Sequence, residues 1–258
     1  MKEKLASPPI VEVVCGLFFE PITALDPISI GNFWHGLRVE YPGHTVQLPV
    51  LDQPNFMFAF GPGPLRSLFT SSSDEYVIQI QNDRFYLNWR KREGGYPRFN
   101  DYENEKGVMS RALAAFELFS IFCNGAFGVR PAVRRAEVTK VDLLEHGKHW
   151  SDLADLSKLV PMVGTLRAFA STEEADLTAR IAETRADGDV VLAMHFGMQS
   201  IFGMMPARGL RLETRAHRAL PGETPDLREE LTSLNEMLNV AFFGLLAPEE
   251  LSRFKEVT

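Results

Sequence analysis

The sequence predicts an α+β protein in which a strand, helix, strands, helix unit occurs twice in tandem. The two copies are expected to form one curved antiparallel sheet backed by two long helices. Proline and helix-cap residues recur at near-constant offsets: Pro9 precedes Pro131 by 122 residues, and the predicted cap Asp26 precedes the predicted cap Ser151 by 125. The spacing alone predicts the repeat, because the two halves share no evident residue identity.

The long helices supply a third recurrence. A cap predicted at Asn100 precedes one at Thr224 by 124 residues, and each opens a segment of helical periodicity. Each half also contains a hairpin before its long helix. We therefore predict two pseudo-equivalent halves, residues 1–129 and 130–258, that share one continuous sheet and core.

The first half opens with a strand, because apolar residues alternate over residues 11–19. Asp26 and Pro27 follow as an N-cap and a first helical residue, so a short helix is expected there. Residues 45–51 and 56–60 are the next predicted strands.

A hairpin over residues 76–90 follows, with Asn82 and Asp83 as its two-residue turn. Counting outward from this turn pairs Ile80 with Phe85, Ile78 with Leu87, and Tyr76 with Trp89. Cross-strand pairs of aromatic and β-branched residues stabilise such a ribbon, so these six side chains are expected on the core face.

The long helix that closes the first half is predicted from two patterns. Asn100 and Glu103 have the spacing of a capping box. Apolar residues from Met109 to Cys123 step by three or four positions, which places them on one helical face. Gly125 is expected near the end of this helix.

The second half repeats this order. It is predicted to open with a strand over residues 132–145, followed by a short helix capped by Ser151. Asp187 and Gly188 are expected to form a hairpin turn, with Ile181 facing inward. The closing helix is predicted from Thr224. The further strands are predicted at residues 166–170, 177–184, 190–198 and 209–217, and a short terminal helix is predicted from Pro248.

Composition restricts the function classes. The net charge is −7 and the isoelectric point is near 5.5, so broad binding to a phosphate backbone is not expected. The two cysteines, Cys15 and Cys123, lie in apolar segments and form no disulfide framework. The sequence shows neither a signal peptide nor a membrane-spanning segment. We therefore predict a cytoplasmic protein with no membrane partner.

Catalytic motifs are not evident. The sequence has no glycine-rich phosphate loop, no nucleophile elbow and no His-Glu-x-x-His motif. His146 and His149 have a spacing that can chelate a metal, but no third ligand lies near them in the sequence, and we interpret the segment as an exposed loop. We predict no cofactor and no metal site.

A basic cluster surrounds the hairpin and its exit, with Tyr86, Trp89 and Tyr96 interleaved. Its members are Arg84, Arg90, Lys91, Arg92 and Arg98. Such a cluster is typical of a surface for an anion or for single-stranded nucleic acid, and also of a solvated basic loop. The polar residues Gln79 and Asn88 on the second face of the hairpin can equally line a ligand surface or face solvent.

An apolar connection over residues 201–206 contains Phe202, Met204 and Met205. Adaptable methionine side chains suit partner-binding surfaces, so this loop is a candidate docking patch. A buried loop that packs internally is the alternative interpretation.

Three segments carry a resemblance to a known family. They are the opening Pro8-Pro9-Ile10-Val11-Glu12, the hairpin run Gln81-Asn82-Asp83-Arg84-Phe85-Tyr86-Leu87-Asn88-Trp89, and Tyr96-Pro97-Arg98-Phe99. With them the chain resembles an uncharacterised, sporadically distributed prokaryotic family, although residues 135–141 depart from its pattern. The resemblance implies no activity; its patchy distribution implies a mobile-element or phage-defence setting. In topology, each half also resembles the saddle unit of the TATA-binding protein, and fold analogy of this kind does not carry function.

The resulting functional hypothesis is a non-catalytic binding or interaction subunit of a cytoplasmic prokaryotic system. Its partner is expected to be a protein, bound by the sheet and by the loop near Met204. The alternative hypothesis is a small-molecule or nucleotide-responsive sensor or enzyme. In that case an anionic ligand would bind between the two halves, around the basic exit of the hairpin.

Overall fold

A computed structural model describes residues 5–50, 65–93, 95–100, 106–164, 177–185, 188–199, 207–220 and 225–254. It confirms the α+β class, with one open antiparallel sheet of nine strands. The first half contains β1 (Ile10–Phe19), α1 (Pro27–Leu37), β2 (Gly43–Gln47), β3 (Arg66–Thr70), β4 (Tyr76–Gln81), β5 (Arg84–Arg90) and α2 (Val108–Phe127). The second half contains β6 (Val133–Glu145), α3 (Leu153–Leu159), α4 (Pro161–Gly164), β7 (Leu177–Arg185), β8 (Gly188–Gln199), β9 (Ala207–Ala219), α5 (Leu227–Leu245) and a 3₁₀ helix (Pro248–Phe254).

The strand order is β2-β3-β4-β5-β1-β6-β9-β8-β7. In each half the first strand, β1 or β6, lies next to the last strand of that half, β5 or β9. The element order strand, helix, strands, helix occurs twice. Outward from β1 and from β6, the other described strands of each half follow in descending order, four in the first half and three in the second.

Packing divides the chain into two compact units. The first unit contains residues 13–138 and 218–232, and the second contains residues of 1–12, 139–217 and 233–258. Each unit is thus built from segments that are distant in the sequence. The boundary at residues 129 and 130 stays a prediction.

The predicted hairpin is confirmed in turn and register. Ile80 pairs with Phe85 and Tyr76 with Trp89, and Asn82 and Asp83 connect β4 to β5. Ile80, Phe85 and Trp89 are almost completely buried. The alternation of the two strands is what directs these large side chains to one face.

The core of the first unit is aromatic. Phe85 of β5 packs against Phe116 and Phe119 of α2, with each pair of ring centroids 5.6 Å apart. Phe33 of α1 contacts Phe119 at the same distance. The spacing predicted for α2 therefore places its inner face on the hairpin, with Cys123 buried at the far end. Burial raises the pKa of the Cys123 thiol to about 12, so it stays protonated and inert.

The core of the second unit is aliphatic. Leucines from β6, β9, α3 and α5 pack with Trp150 and with Phe254 of the 3₁₀ helix. The indole of Trp150 donates to the Leu144 carbonyl at 2.7 Å, so the polar edge of this buried ring is satisfied. The fully or nearly buried members include Leu144, Leu156, Leu159, Leu210, Leu212, Leu246 and Phe254.

The start of α2 differs from the prediction. The helix begins at Val108 after the N-cap Gly107, and Asn100 is not its cap. Val108 and Met109 donate their backbone N–H groups to the carbonyls of Arg98 and Phe99. The preceding segment thus accepts hydrogen bonds from the first N–H groups of the helix, which a capping side chain normally accepts. The helix ends at Gly128, which has φ 69°, rather than near Gly125.

The caps of the second half also differ. Asp152, not Ser151, caps α3, because its carboxylate accepts from the N–H of Asp155 at 2.8 Å. Before α5, Asp226 accepts from two N–H groups of the first turn, and Thr224 lies outside the described residues. Asp26 is confirmed as the cap of α1, in a capping box with Ser29.

Several strand predictions change. Residues 66–70 form β3, which was not predicted, and β2 ends at Gln47. Gly188 pairs with Arg185 as the first residue of β8 rather than as a turn residue, while Asp187 lies outside the described residues. Ile181 is 46% exposed instead of facing inward, because β7 is an edge strand of the sheet. The predicted strands at 56–60 and 166–170 also lie outside the described residues.

Among the helices that the structure describes, none is both long enough and apolar enough to cross a membrane.

Candidate functional site

The second face of the hairpin, opposite α2, carries polar side chains from four strands. We call this set the polar face: Gln47 of β2, Arg66 of β3, Gln79 of β4, and Arg84, Tyr86 and Asn88 of β5. Strand alternation and the register place them together. Gln79, Arg84, Tyr86 and Asn88 are buried, so this face is not the solvated surface that a simple alternation suggests.

A chain of hydrogen bonds crosses the polar face. Arg66 donates to Gln47 and, at 2.9 Å, to the Oε1 of Gln79. Gln79 in turn donates its Nε2 to the Oδ1 of Asn88 at 2.7 Å. Burial lowers the pKa of the Arg66 guanidinium, and the amide oxygens it reaches compensate for the water it loses. These bonds link the four side chains to one another, although the buried Nε of Arg66 has no hydrogen-bond partner among the described residues.

Arg84 lies at the turn end of the polar face. Its guanidinium donates twice to the Asp83 carboxylate, at 2.9 and 2.7 Å, and lies 4.9 Å from the centre of the Phe18 ring. Arg135 of β6 approaches the same ring at 3.6 Å. Burial disfavours the charged form of Arg84, but the Asp83 bond and the neighbouring Tyr86 outweigh it and raise the pKa.

The Tyr86 ring packs against β1 at Gly16. A Cβ at Gly16 would come within 2.7 Å of the Tyr86 ring, so only glycine leaves room for it. Burial, followed by the nearby Glu137 carboxylate, raises the pKa of Tyr86 to about 12. The phenol therefore stays protonated near neutral pH, which does not suit a general base.

The five predicted basic residues do not form one cluster. Arg84 begins β5 and Arg90 ends it, so about 20 Å of strand separates them. Lys91, Arg92 and Arg98 follow Arg90 at the hairpin exit. Arg92 donates its Nε to Asp74 at 3.0 Å, which fixes the turn between β3 and β4.

Two further features of this exit are visible. The rings of Trp89 and Tyr96 lie 5.1 Å apart. Arg98 has φ 67°, and its carbonyl receives the N–H of Val108 at the start of α2. The backbone of Arg98 therefore has a structural role in addition to its charge.

The predicted docking loop lies outside the described residues. Phe202, Met204 and Met205 all belong to the undescribed stretch between β8 and β9. Their candidacy as a partner-binding patch stays a prediction.

The two histidines of the loop after β6 are held by the backbone. His149 is buried, and its Nδ1 accepts from the N–H of Glu145 at 2.9 Å. The Nε2 of His146 lies 2.8 Å from the carbonyl of Ser151. These bonds shape the loop, and in the portion of the chain that the structure describes no group of three or more His, Cys, Asp or Glu is placed to hold a metal ion.

A cleft of 340 Å³ borders this loop and contains the Arg253–Asp155 pair. Arg253 donates to both oxygens of Asp155 at 3.0 and 2.7 Å, to the carbonyl of His149 at 3.0 Å, and to Glu250 at 2.6 Å. The guanidinium holds the pKa of Asp155 well below its usual range. The pair ties the 3₁₀ helix to the loop and to α3, so we assign it a structural role.

Two buried charged side chains, Lys140 and Asp142, lie on the helix-facing side of β6 in the second unit. Lys140 donates to the Oδ1 of Asn239 in α5 at 2.7 Å, and Asp142 lies two residues further along the strand. Burial raises the pKa of Asp142, and the Lys140 charge opposes this shift. The bond from Lys140 to Asn239 therefore ties β6 to α5.

The outer face of α2 is apolar, which is unusual for a solvent-facing helix. Ala114, Leu118, Ile121 and Gly125 are exposed and step by 4, 3 and 4 residues, so they form a second helical stripe. We call these four residues the α2 outer stripe. Leu118 is 51% exposed and Ile121 53%.

The outer face of α5 provides a comparison within the chain. Its exposed positions include Glu229 and Glu236, as expected for a solvated helix. In α2 the stripe has two charged neighbours: Glu117, and Arg111, which lies three residues before Ala114 and pairs with Glu40. The stripe could have been found in the sequence, because its spacing is as regular as that of the inner face. The larger residues of the inner face were sufficient to predict the helix, so the outer positions were not considered separately.

No protein-family model matches the chain, and no curated protein matches it.

Proposed function

We propose that the protein is a non-catalytic interaction subunit of a cytoplasmic assembly, and that its partner binds the α2 outer stripe. The observation that carries this proposal is the pair of half-exposed side chains, Leu118 and Ile121, on a helix that contains only two charged residues, Arg111 and Glu117. Exposed apolar stripes at helical spacing are typical of helix-mediated recognition.

The energetics support this use of α2. Burying a fully exposed Leu or Ile contributes about 1.5–3 kcal/mol, so covering the exposed halves of Leu118 and Ile121 contributes about 1 kcal/mol each. Ala114 and Gly125 let a partner backbone approach closely. A partner with large apolar side chains over these small residues would add to this gain.

The polar side chains of the first unit support a non-catalytic role. The residues of the polar face bond to one another, and Arg84 and Arg92 are engaged by Asp83 and Asp74. Their geometry is that of a network that stabilises the sheet.

The proposal is tested by charge insertion on the stripe. The double variant Leu118→Glu, Ile121→Glu should lose a stoichiometric partner on purification from the native host, because a buried unpaired carboxylate opposes docking. The matched control is Ile28→Glu, Val240→Glu, since these side chains are 76% and 66% exposed on α1 and α5. Equal retention of the partner by both variants, at unchanged thermal stability, would refute the role of α2.

The ligand-responsive alternative has one observation in its favour. The half-buried ring of Tyr96, which packs on the buried Trp89, follows the basic residues Arg90, Lys91 and Arg92 in the sequence, and a partly exposed aromatic ring near basic side chains suits a planar anionic ligand. Replacing these three residues with glutamine should weaken the binding of a nucleotide mixture and flatten its salt dependence, measured by titration calorimetry. Identical binding isotherms for the variant and the wild type would remove this site.

A further inference from the structure

We propose that the occupant of the α2 outer stripe is a second copy of this chain, whose α2 packs antiparallel to the first across a two-fold axis beside Ile121. This inference rests on the proposed function, because it names the partner of the same surface. It concerns the first unit, in which all four residues of the stripe lie.

The first argument is self-complementarity, which a two-fold interface requires. In an antiparallel pair centred beside Ile121, Leu118 of one copy lies opposite Gly125 of the other. Ala114 then lies opposite Val129, just beyond the end of the helix. Leu118 and Val129 thus each face a small residue, the alternation by which packed layers interdigitate, while Ile121 lies at the axis against its own copy.

The room above Gly125 is available. A Cβ built at Gly125 meets no atom of its own chain within 4 Å. A side chain from another molecule can therefore enter this position without displacing anything. The same position accepts a larger residue in the free chain, which makes it a useful test site.

The second argument is charge. Like charges do not face each other in this arrangement, because the stripe itself is uncharged and Glu117 lies opposite the small residue Ala126. Arg130 of one copy lies opposite Leu113 of the other, one helical turn from Glu117. A membrane-surface helix would instead carry lysine and arginine along its polar side, whereas α2 contains a single basic residue, Arg111.

The size of the contact sets its strength. The 20 residues of α2 form a rod about 30 Å long and about 10 Å wide, so the footprint is on the order of 300 Å² for each copy. Stable interfaces bury about 1,200 Å² or more in total. The helix pair alone is therefore expected to make a weak dimer that forms as the concentration rises.

Sedimentation velocity on the purified chain tests the dimer. Between about 5 and about 500 μM the wild type should shift from the 29.0 kDa monomer toward twice that mass, in the affinity range expected of a small interface. Gly125→Met should abolish the shift, because it fills the place of Leu118 from the other copy. Gly244→Met, at an α5 glycine with equally open surroundings, should leave the shift unchanged.

Cross-linking tests the geometry. Ile121→Cys should form an intermolecular disulfide under mild oxidation, since residues at a two-fold axis approach their own copies. Ala126→Cys, exposed on the same helix but away from the axis, should cross-link at least tenfold more slowly. The native thiols of Cys15 and Cys123 are buried and do not compete.

Three outcomes would overturn the inference: a monomer at all concentrations, equal cross-linking of the two cysteine variants, or α2-dependent flotation with anionic vesicles. The wild-type chain could also stay monomeric and bind a different stoichiometric partner that the double variant Leu118→Glu, Ile121→Glu loses. That result would refute the second copy and support the proposed function. A dimer that survives this double variant would refute both.

Discussion

Replacing Arg253 with alanine should destabilise the second unit, because this one side chain holds three parts of the fold together. Its guanidinium reaches the Asp155 carboxylate, the His149 carbonyl and Glu250. Arg253 and Asp155 are 22% and 21% exposed, so their bonds are only partly screened by water.

The magnitude follows from these contacts. A bond to a charged group contributes about 1.5–3 kcal/mol, and the partial exposure of the Asp155 pair places it near about 2 kcal/mol. The bond to the His149 carbonyl adds about 1 kcal/mol. The ion pair with Glu250, three residues away in the same helix, adds about 0.3 kcal/mol. The expected loss is therefore about 3 kcal/mol, which lowers the melting temperature by about 6–12 °C for a chain of this size.

Urea unfolding and calorimetry measure this loss. Arg253→Lys should recover less than half of it, because an ammonium cannot match the two Asp155 oxygens as a planar fork does. Arg228→Ala, on the exposed face of α5, should change stability by no more than about 0.5 kcal/mol. A loss below about 1 kcal/mol for Arg253→Ala, or equal losses for the two arginine-to-alanine variants, would refute the reasoning.

Three further predictions address individual contacts. Burial raises the pKa of Asp142 to about 7, so its contribution to stability is complete below about pH 4 and is lost as the pH rises through about 7. Asp142→Asn should therefore remove this slope from urea-derived unfolding free energies, and an unchanged slope would contradict the assignment. Gly16→Ala should destabilise the first unit by about 1–3 kcal/mol, because the added methyl group displaces the Tyr86 ring. The same substitution in a Tyr86→Ala background should cost far less. Equal losses in the two backgrounds, measured by chemical unfolding, would show that Tyr86 is not the side chain that is displaced. Phe119→Ala should lower the melting temperature through a loss of about 3–5 kcal/mol, since the fully buried ring contacts four other aromatic side chains, and a loss like that of a surface residue would be inconsistent with this core.

The hairpin could be predicted from the sequence because its information is local. The turn residues Asn82 and Asp83 and the alternation on either side determine the register together. The inner face of α2 could be predicted for the same reason, since the spacing from Met109 to Cys123 repeats within one element.

The first residues of the helices depend on contacts that spacing does not reveal. Asn100 has the spacing of a cap, but α2 begins at Val108 because carbonyls of the preceding segment receive its first N–H groups. Ser151 likewise precedes α3, but the geometry gives the capping role to Asp152. Near-constant offsets between predicted caps were thus partly coincidental, although the repeated element order is real.

The polar face and the Arg253 pair could not be predicted, because their partners are distant in the sequence. Gln79 bonds to Arg66 of β3, a strand that the sequence pattern did not reveal. Arg253 and Asp155 lie 98 positions apart. Basic residues that look like a ligand site in the sequence are therefore partly structural, and only the fold identifies their acidic neighbours.

Thiol labelling inside cells tests the central claim most directly, because it requires no knowledge of the partner. Leu118→Cys should be protected at least tenfold in the cell compared with the same purified protein at low concentration, since a partner covers the α2 outer stripe. Ile28→Cys, exposed on α1, should label equally in both settings. Equal labelling of Leu118→Cys in both settings would show that the stripe faces solvent in the cell and would contradict the interaction function.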